Sequence, residues 1–189
     1  MRTRHRPLAT IAITAAGLSL LPLAACTTSN GDEDPTTPTT THEAPPTADP
    51  ADATPQERIA ASFEASDAAA AEGWKDTSYI DDFFVPELAE KQRADDQERA
   101  ESGAVVTGET KLSSWEVVEE TDTTAVVEFC QDSGALEATK DGEPVEITNQ
   151  REESVGRFTL VNESDSDPWV IEEQAYYDEG TTCDEYFAG

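Results

Sequence analysis

Positive charge is what this chain has least of: 12 Lys plus Arg stand against 41 Asp plus Glu, a formal net charge of −29. Three of those cations, Arg2, Arg4 and Arg6, lie in the first 26 residues, which carry no acid. The remainder sets nine cations against 41 acids, a net −32. Such a composition lacks the basic patch that nucleic acid or anionic lipid requires, so the acidic part is expected to bind neither through its own surface. Histidine is scarcer still, with His5 and His42 the only two, both ahead of residue 55. Everything after them is therefore without His-based triads and imidazole-dependent zinc or iron sites. No phosphate loop of the G-x-x-x-x-G-K-[ST] or G-x-G-x-x-G kind is present. The apolar run from Leu8 to Ala25 spans 18 residues and contains Pro22. A membrane-spanning helix needs roughly twenty, without a proline breaking it.

What the amino terminus does contain is the anatomy of a secretory signal: a basic start, a short apolar stretch and small residues at its end. Leu23-Ala24-Ala25-Cys26 resembles the lipobox of bacterial lipoproteins. The resemblance implies that residues 1–25 are removed and that the Cys26 thiol carries a diacylglycerol at the new amino terminus. One acyl chain holds a membrane weakly; two, at about 0.8 kcal/mol per buried CH₂, hold it firmly. The expected location is the outer face of a cytoplasmic membrane, with the membrane as partner through that lipid. Residues 27–54 hold nine Thr, five Pro and no large apolar side chain. Such a segment buries too little to offset the entropy of ordering, and 26–54 reads as a disordered spacer behind the lipidated Cys. Stretched, it would reach about 90 Å; as a coil, roughly 30 Å.

Residues 55–189 have the size of one domain, and 37% hydrophobic residues over the whole chain can supply no more than one core. Thr54-Pro55-Gln56-Glu57 is a helix start, with a capping hydroxyl, Pro at the first position and an acid in the first turn. Ile59, Phe63, Ala70 and Trp74 then recur at near-helical spacing, with Gly73 marking the end. A second helix is expected over roughly Pro86–Glu101, closed by Gly103. Beyond it the period falls to two. Strands are expected at Val105–Thr107, Leu112–Glu119, Thr123–Gln131, Val145–Thr148, Val155–Asn162 and Trp169–Tyr177. Ala125, Val127 and Phe129 face inward, with Thr124, Val126 and Glu128 outward. Asp141-Gly142 suits a tight hairpin. Helices followed by a meander of strands indicate an α+β fold, a curved antiparallel sheet with N-terminal helices packed on it.

With Cys26 assigned to lipid, Cys130 and Cys183 remain, and in an exported protein they most simply form a disulfide. Closing a loop of some fifty residues contributes about 4 kcal/mol on the chain-entropy account. Their spacing is not the C-x-x-C of a redox pair. Glu163, Asp165, Ser166 and Asp167 offer oxygens to Ca²⁺ but lack the EF-hand pattern, and read as a solvated turn. Asp76, Asp81 and Asp82 beside Tyr79 and Phe83 read as helix-end charges. Tyr176 and Tyr177 point to opposite faces of the last strand. No catalytic residue, metal ligand or cofactor is assigned.

Several stretches together resemble the small secreted lipoproteins of actinobacteria whose exported part is a nuclear transport factor 2-like (NTF2-like) domain. They are the lipobox, the Thr/Pro-rich spacer, the helix from Pro55 to Trp74, Gly103 to Gly108, Val126-Val127-Glu128-Phe129-Cys130-Gln131-Asp132-Ser133, and Pro168-Trp169-Val170-Ile171 ahead of Cys183. The resemblance implies a cone-shaped fold, a bent sheet wrapped by helices around a pocket. Enzymes of the wider superfamily use an Asp base with a Tyr, or His–Asp pairs, and no such pair maps onto this chain. The expected role is non-catalytic binding of a small apolar ligand or a cell-envelope partner. The alternatives are a carboxylate/Tyr isomerase or dehydratase, and a structural cell-wall domain with a filled core.

Overall fold

The computed structural model describes residues 49–147, 150, 152–164 and 166–188. The signal segment, Cys26, His42 and the spacer up to residue 48 lie outside them, as does Asp165. A single 3-10 turn, Pro50–Asp52, precedes the first helix.

Helix α1 runs Pro55–Ala71. Its start is a full capping box: Glu57 N–H donates to Thr54 Oγ1 at 3.3 Å, and Thr54 N–H donates to Glu57 Oε2 at 2.8 Å. Its end is earlier than the apolar spacing suggests. Gly73 adopts φ +72°, Gly73 N–H bonds Ala70 O, and Trp74 N–H bonds Ala69 O at 2.8 Å. That pair of bonds is a Schellman closure, so Trp74 sits beyond the helix and not on its apolar stripe. A short helix, α2 (Ile80–Phe83), leads into α3 (Pro86–Ser102), which Gly103 closes in the left-handed conformation. Arg58 is buried between these elements. Its Nε donates to Trp169 O at 2.9 Å, Nη2 donates to Asp82 O, and its guanidinium lies 4.4 Å from the Phe83 ring centroid.

Seven strands follow among the described residues: β1 Ala104–Thr107, β2 Lys111–Glu120, β3 Thr124–Asp132, β4 Glu137–Lys140, β5 Glu143–Val145, β6 Glu153–Val161 and β7 Val170–Tyr176. The class is α+β, as expected, but the strands make two antiparallel sheets where one was expected. The larger has the order β2-β3-β6-β7 and the smaller β1-β4-β5. Instead of extending the meander beside β3, β4 pairs with β1 on one side, Val105 against Thr139 and Val106 against Ala138, and through the Asp141-Gly142 hairpin with β5 on the other. Strand β4 itself is too short and too mixed in character to show in the pattern.

The core lies between the inner face of the large sheet and α1, α2 and the start of α3. Ile59, Ile80, Val127, Phe129, Phe158, Leu160 and Ile171 are all at most 1% exposed. Burying each such side chain contributes about 1.5–3 kcal/mol. Phe129 and Phe158 meet edge-on at 4.9 Å, with Phe63 stacked on Phe158 at 6.0 Å. Gly156, opposite Phe129 in the register, gives that ring its place, since a Cβ there would stand 2.7 Å from Phe129 Cζ.

The inward set Ala125, Val127 and Phe129 is as the alternation predicts. The outward set is not solvent-facing, because Val126 is 7% and Glu128 4% exposed. A second layer covers much of that outer face: α4 (Cys183–Phe187) folds back over it, held by the Cys130–Cys183 disulfide, with Tyr177, Tyr186 and Phe187 against Val155. At the other end of the strand order, β2 is exposed almost throughout, Trp115, Val117 and Val118 included. Its register breaks twice, between Ser113 and Glu116 and between Val117 and Glu119, and Ser114 takes φ +54°.

Candidate ligand cavity

A cavity of about 1030 Å³ opens among α1, α3, the small sheet and the inner face of the large one. It lies at the end of the volume for open ligand pockets, which run to about 1,000 Å³. From α1 come Phe63, Ser66, Asp67 and Ala70, one stripe at spacings of three and four. From α3 come Gln92, Asp95 and Arg99, again one stripe. The large sheet offers Gln131, Gln174 and Tyr176, and the small one Val106, Ala138, Lys140 and Val145. Polar and apolar groups alternate around the wall, so the lining is amphipathic and not the uniformly apolar pocket that an apolar ligand would favour.

Asp67 is half enclosed, and its oxygens accept from Thr110 N–H at 2.7 Å and Thr110 Oγ1 at 3.0 Å. Burial pushes its pKa up, against the lowering effect of those two hydrogen bonds. Tyr176 stands on the inner face, its ring edge-on to Phe158 at 5.8 Å, and is 44% exposed because the cavity admits solvent to it. The surrounding protein still pushes its pKa up to about 12. Tyr177 faces the other way, as expected of its neighbour, and donates to Glu128 Oε1 at 2.8 Å.

The carboxylate of Asp96 is fully buried behind the α3 wall and is saturated by three donors. Tyr79 O–H reaches Oδ2 at 2.8 Å, while Arg99 Nη1 and Gln92 Nε2 reach Oδ1 at 2.8 and 3.3 Å. Its part is to fix α3 and the α1–α2 connection; Tyr79 has its own pKa raised, chiefly by burial. Two wall groups are not saturated. Trp74 Nε1 and Gln131 Oε1 are buried without a hydrogen-bond partner. An orphaned buried polar group costs about 1–3 kcal/mol, a cost that a ligand reaching either atom would relieve.

On the outer face, Glu128 accepts from Arg157 Nη1 at 2.5 Å, Tyr177 O–H at 2.8 Å and Tyr186 O–H at 2.7 Å. This cluster is closed over by α4 and reads as structural. The sulfurs of Cys130 and Cys183 and a Glu153 oxygen lie within 4.8 Å of one another, but the sulfurs are joined to each other. Glu163 and Asp167 line a separate cavity of about 500 Å³ with Asp81, Glu90 and Arg93. Asp167 accepts from Ser164 Oγ at 2.6 Å, and Arg93 pairs with Asp81. No acidic group there gathers its oxygens at metal-ligand spacing among the described residues. Asp76 accepts from Ser78 N–H at 2.9 Å in the turn between α1 and α2 and caps neither helix, whereas Asp81 and Asp82 do lie in the first turn of α2.

Of the cavity's polar residues the sequence pointed to Tyr176, one of a pair on opposite faces of the last strand, but not to Asp67, Gln92, Arg99 or Lys140. A signal existed for Asp67 in the wall and for Asp96 behind it. Asp67 continues the stripe of Ile59, Phe63 and Ala70, and Asp96 continues that of Ala89 and Gln92; an acid on an apolar stripe is a buried acid until shown otherwise.

No protein-family model matches the chain, and no curated protein matches it. A solved structure from Catenulispora Acidiphila is similar at 14% identity, covering 71% of this chain and 92% of that one. Its TM-score of 0.42 is too low for the likeness to bear on fold or activity.

Proposed function

We propose that this protein is an exported lipoprotein, tethered through Cys26, whose NTF2-like domain holds a small amphipathic molecule without transforming it. The cavity of about 1030 Å³ carries the reading. It has aromatic walls in Phe63 and Tyr176, polar groups placed to orient a ligand, and two of those groups still without partners. The chemistry of the wall moves the ligand class from apolar to amphipathic. Native mass spectrometry of the protein drawn from its own envelope extract tests this. A retained small molecule, lost on unfolding, is expected; a protein that emerges bare from extracts and fails to bind any amphiphile would overturn it. Mass spectrometry of the mature amino terminus tests the tether, where an unmodified Cys26, or cleavage elsewhere, defeats it.

A second reading, a carboxylate/tyrosine enzyme, has one observation in its favour: Asp67, a cavity carboxylate with a raised pKa. Against it, both Asp67 oxygens are already engaged by Thr110. Turnover of a bound amphiphile that is abolished by Asp67→Asn would establish the enzyme and displace the binding protein.

A further inference from the structure

One corner of the cavity, where α1 and α3 end against β1 and β4, is furnished with donors. The Trp74 indole N–H is buried and unpartnered, and its backbone is held at φ +53°, which a non-glycine residue adopts only under strain. Arg99 lies over that indole ring at 5.8 Å. One of its N–H groups serves Asp96, while the side chain stays 47% exposed, so much of the guanidinium fork faces outward.

Lys140 joins them from the small sheet. It is the register partner of Ala104, and its Cε comes 3.8 Å from where a Cβ on Gly103 would stand, one helical turn past Arg99. Among the described residues Lys140 has no ion-pair partner; even Glu143, directly opposite in the hairpin, does not close one. The distribution of charge points the same way. Lys91, Arg99 and Lys140, three of the nine cations beyond residue 26, line this cavity, against four of the 41 acids. In a molecule so acidic, that is the one described wall where an anion meets cations in such proportion.

We propose that the Trp74–Arg99–Lys140 corner binds the carboxylate of an amphipathic acid whose apolar part lies against Phe63, Phe84 and Tyr176. The inference rests on the ligand-holding reading of the cavity and specifies its ligand class. A carboxylate supplies the acceptor that Trp74 Nε1 lacks and takes charge-assisted bonds from the two cations. The apolar part covers the Tyr176 ring, which the cavity otherwise leaves to water.

Decanoate, decanol and decyltrimethylammonium share one chain length and differ in the charge of the head. Each is titrated calorimetrically, at one fixed ionic strength, into the full chain carrying Cys26→Ser so that no acyl anchor is attached. The Trp74 indole N–H is followed in parallel by NMR, assigned by its loss in Trp74→Phe. Decanoate is expected to bind about tenfold or more tightly than decanol and to shift that resonance. Lys140→Gln, an exposed change that leaves the core intact, is expected to weaken decanoate by about tenfold and leave decanol unchanged. Equal binding of decanoate and decanol, insensitive to Lys140→Gln, overturns the anionic head while leaving the cavity reading in place. Tightest binding by decyltrimethylammonium overturns it too, because the acidic field then governs the corner. If none of the three binds, the cavity reading falls with it.

Discussion

Replacing Tyr186 by Phe removes one oxygen from the outer face and tests whether that face is held by Glu128. Tyr186 O–H is the donor to Glu128 Oε2, at 2.7 Å, whereas Arg157 and Tyr177 both serve Oε1. A hydrogen bond to a charged group contributes about 1.5–3 kcal/mol, and the ring remains to cover the sheet, so the loss at neutral pH should fall in that range. The pH dependence is the sharper signature. Burial alone would raise the Glu128 pKa, but the bonds from Tyr186, Tyr177 and Arg157 outweigh that penalty and hold it below its ordinary 4.5. A carboxyl depressed by folding adds stability above its unfolded pKa and loses it as pH falls through the folded value. The gap between parent and Tyr186→Phe should therefore be full at pH 7 and narrow as pH falls below about 4.5. Urea unfolding followed by Trp fluorescence at both ends of that range measures it, with an unchanged m-value as the check on two-state behaviour. A loss below about 0.5 kcal/mol at pH 7, or one of equal size at about pH 3.5, would show that Tyr186 does not hold this carboxylate.

Two further substitutions test the disulfide and the close packing of the core. Cys183→Ser frees a 53-residue separation and should cost up to about 4 kcal/mol, with a reductant lowering the melting temperature of the parent but not of the variant; a parent insensitive to reductant would contradict this. Gly156→Ala places a methyl 2.7 Å from the Phe129 ring and should cost about 1–3 kcal/mol in chemical unfolding, whereas a neutral result would mean that the ring moves aside freely.

The elements visible in the sequence are those whose cause is local. The helix start at Thr54-Pro55-Gln56-Glu57, the glycines at 73 and 103 and the inward set of β3 each act within a few residues, and each appears where expected. The Cys130–Cys183 pairing was legible for a different reason, since few cysteines leave few choices. What escaped depends on distant chain. Glu128 looks solvent-facing until residues 177 and 186 return to cover it. The single sheet became two because β4 pairs with β1, some thirty residues earlier. Trp74 fits the apolar spacing of α1, yet the Schellman turn takes it off the helix and into the cavity wall.

Strand β2 has a consequence for the company this molecule keeps. It forms one margin of the large sheet, with ten residues and three sizeable apolar side chains in the open, the ordinary recipe for recruiting a strand from a second chain. Its two register breaks and the left-handed Ser114 put the free amides and carbonyls out of step every few residues. A straight strand laid alongside would lose its hydrogen bonds almost as soon as it began to zip. Glu116, Glu119 and Glu120 add like-charge repulsion against another copy at the same margin. The irregularity that makes β2 look poorly formed is thus a safeguard against aggregation, and straightening it is the change most apt to make this margin sticky.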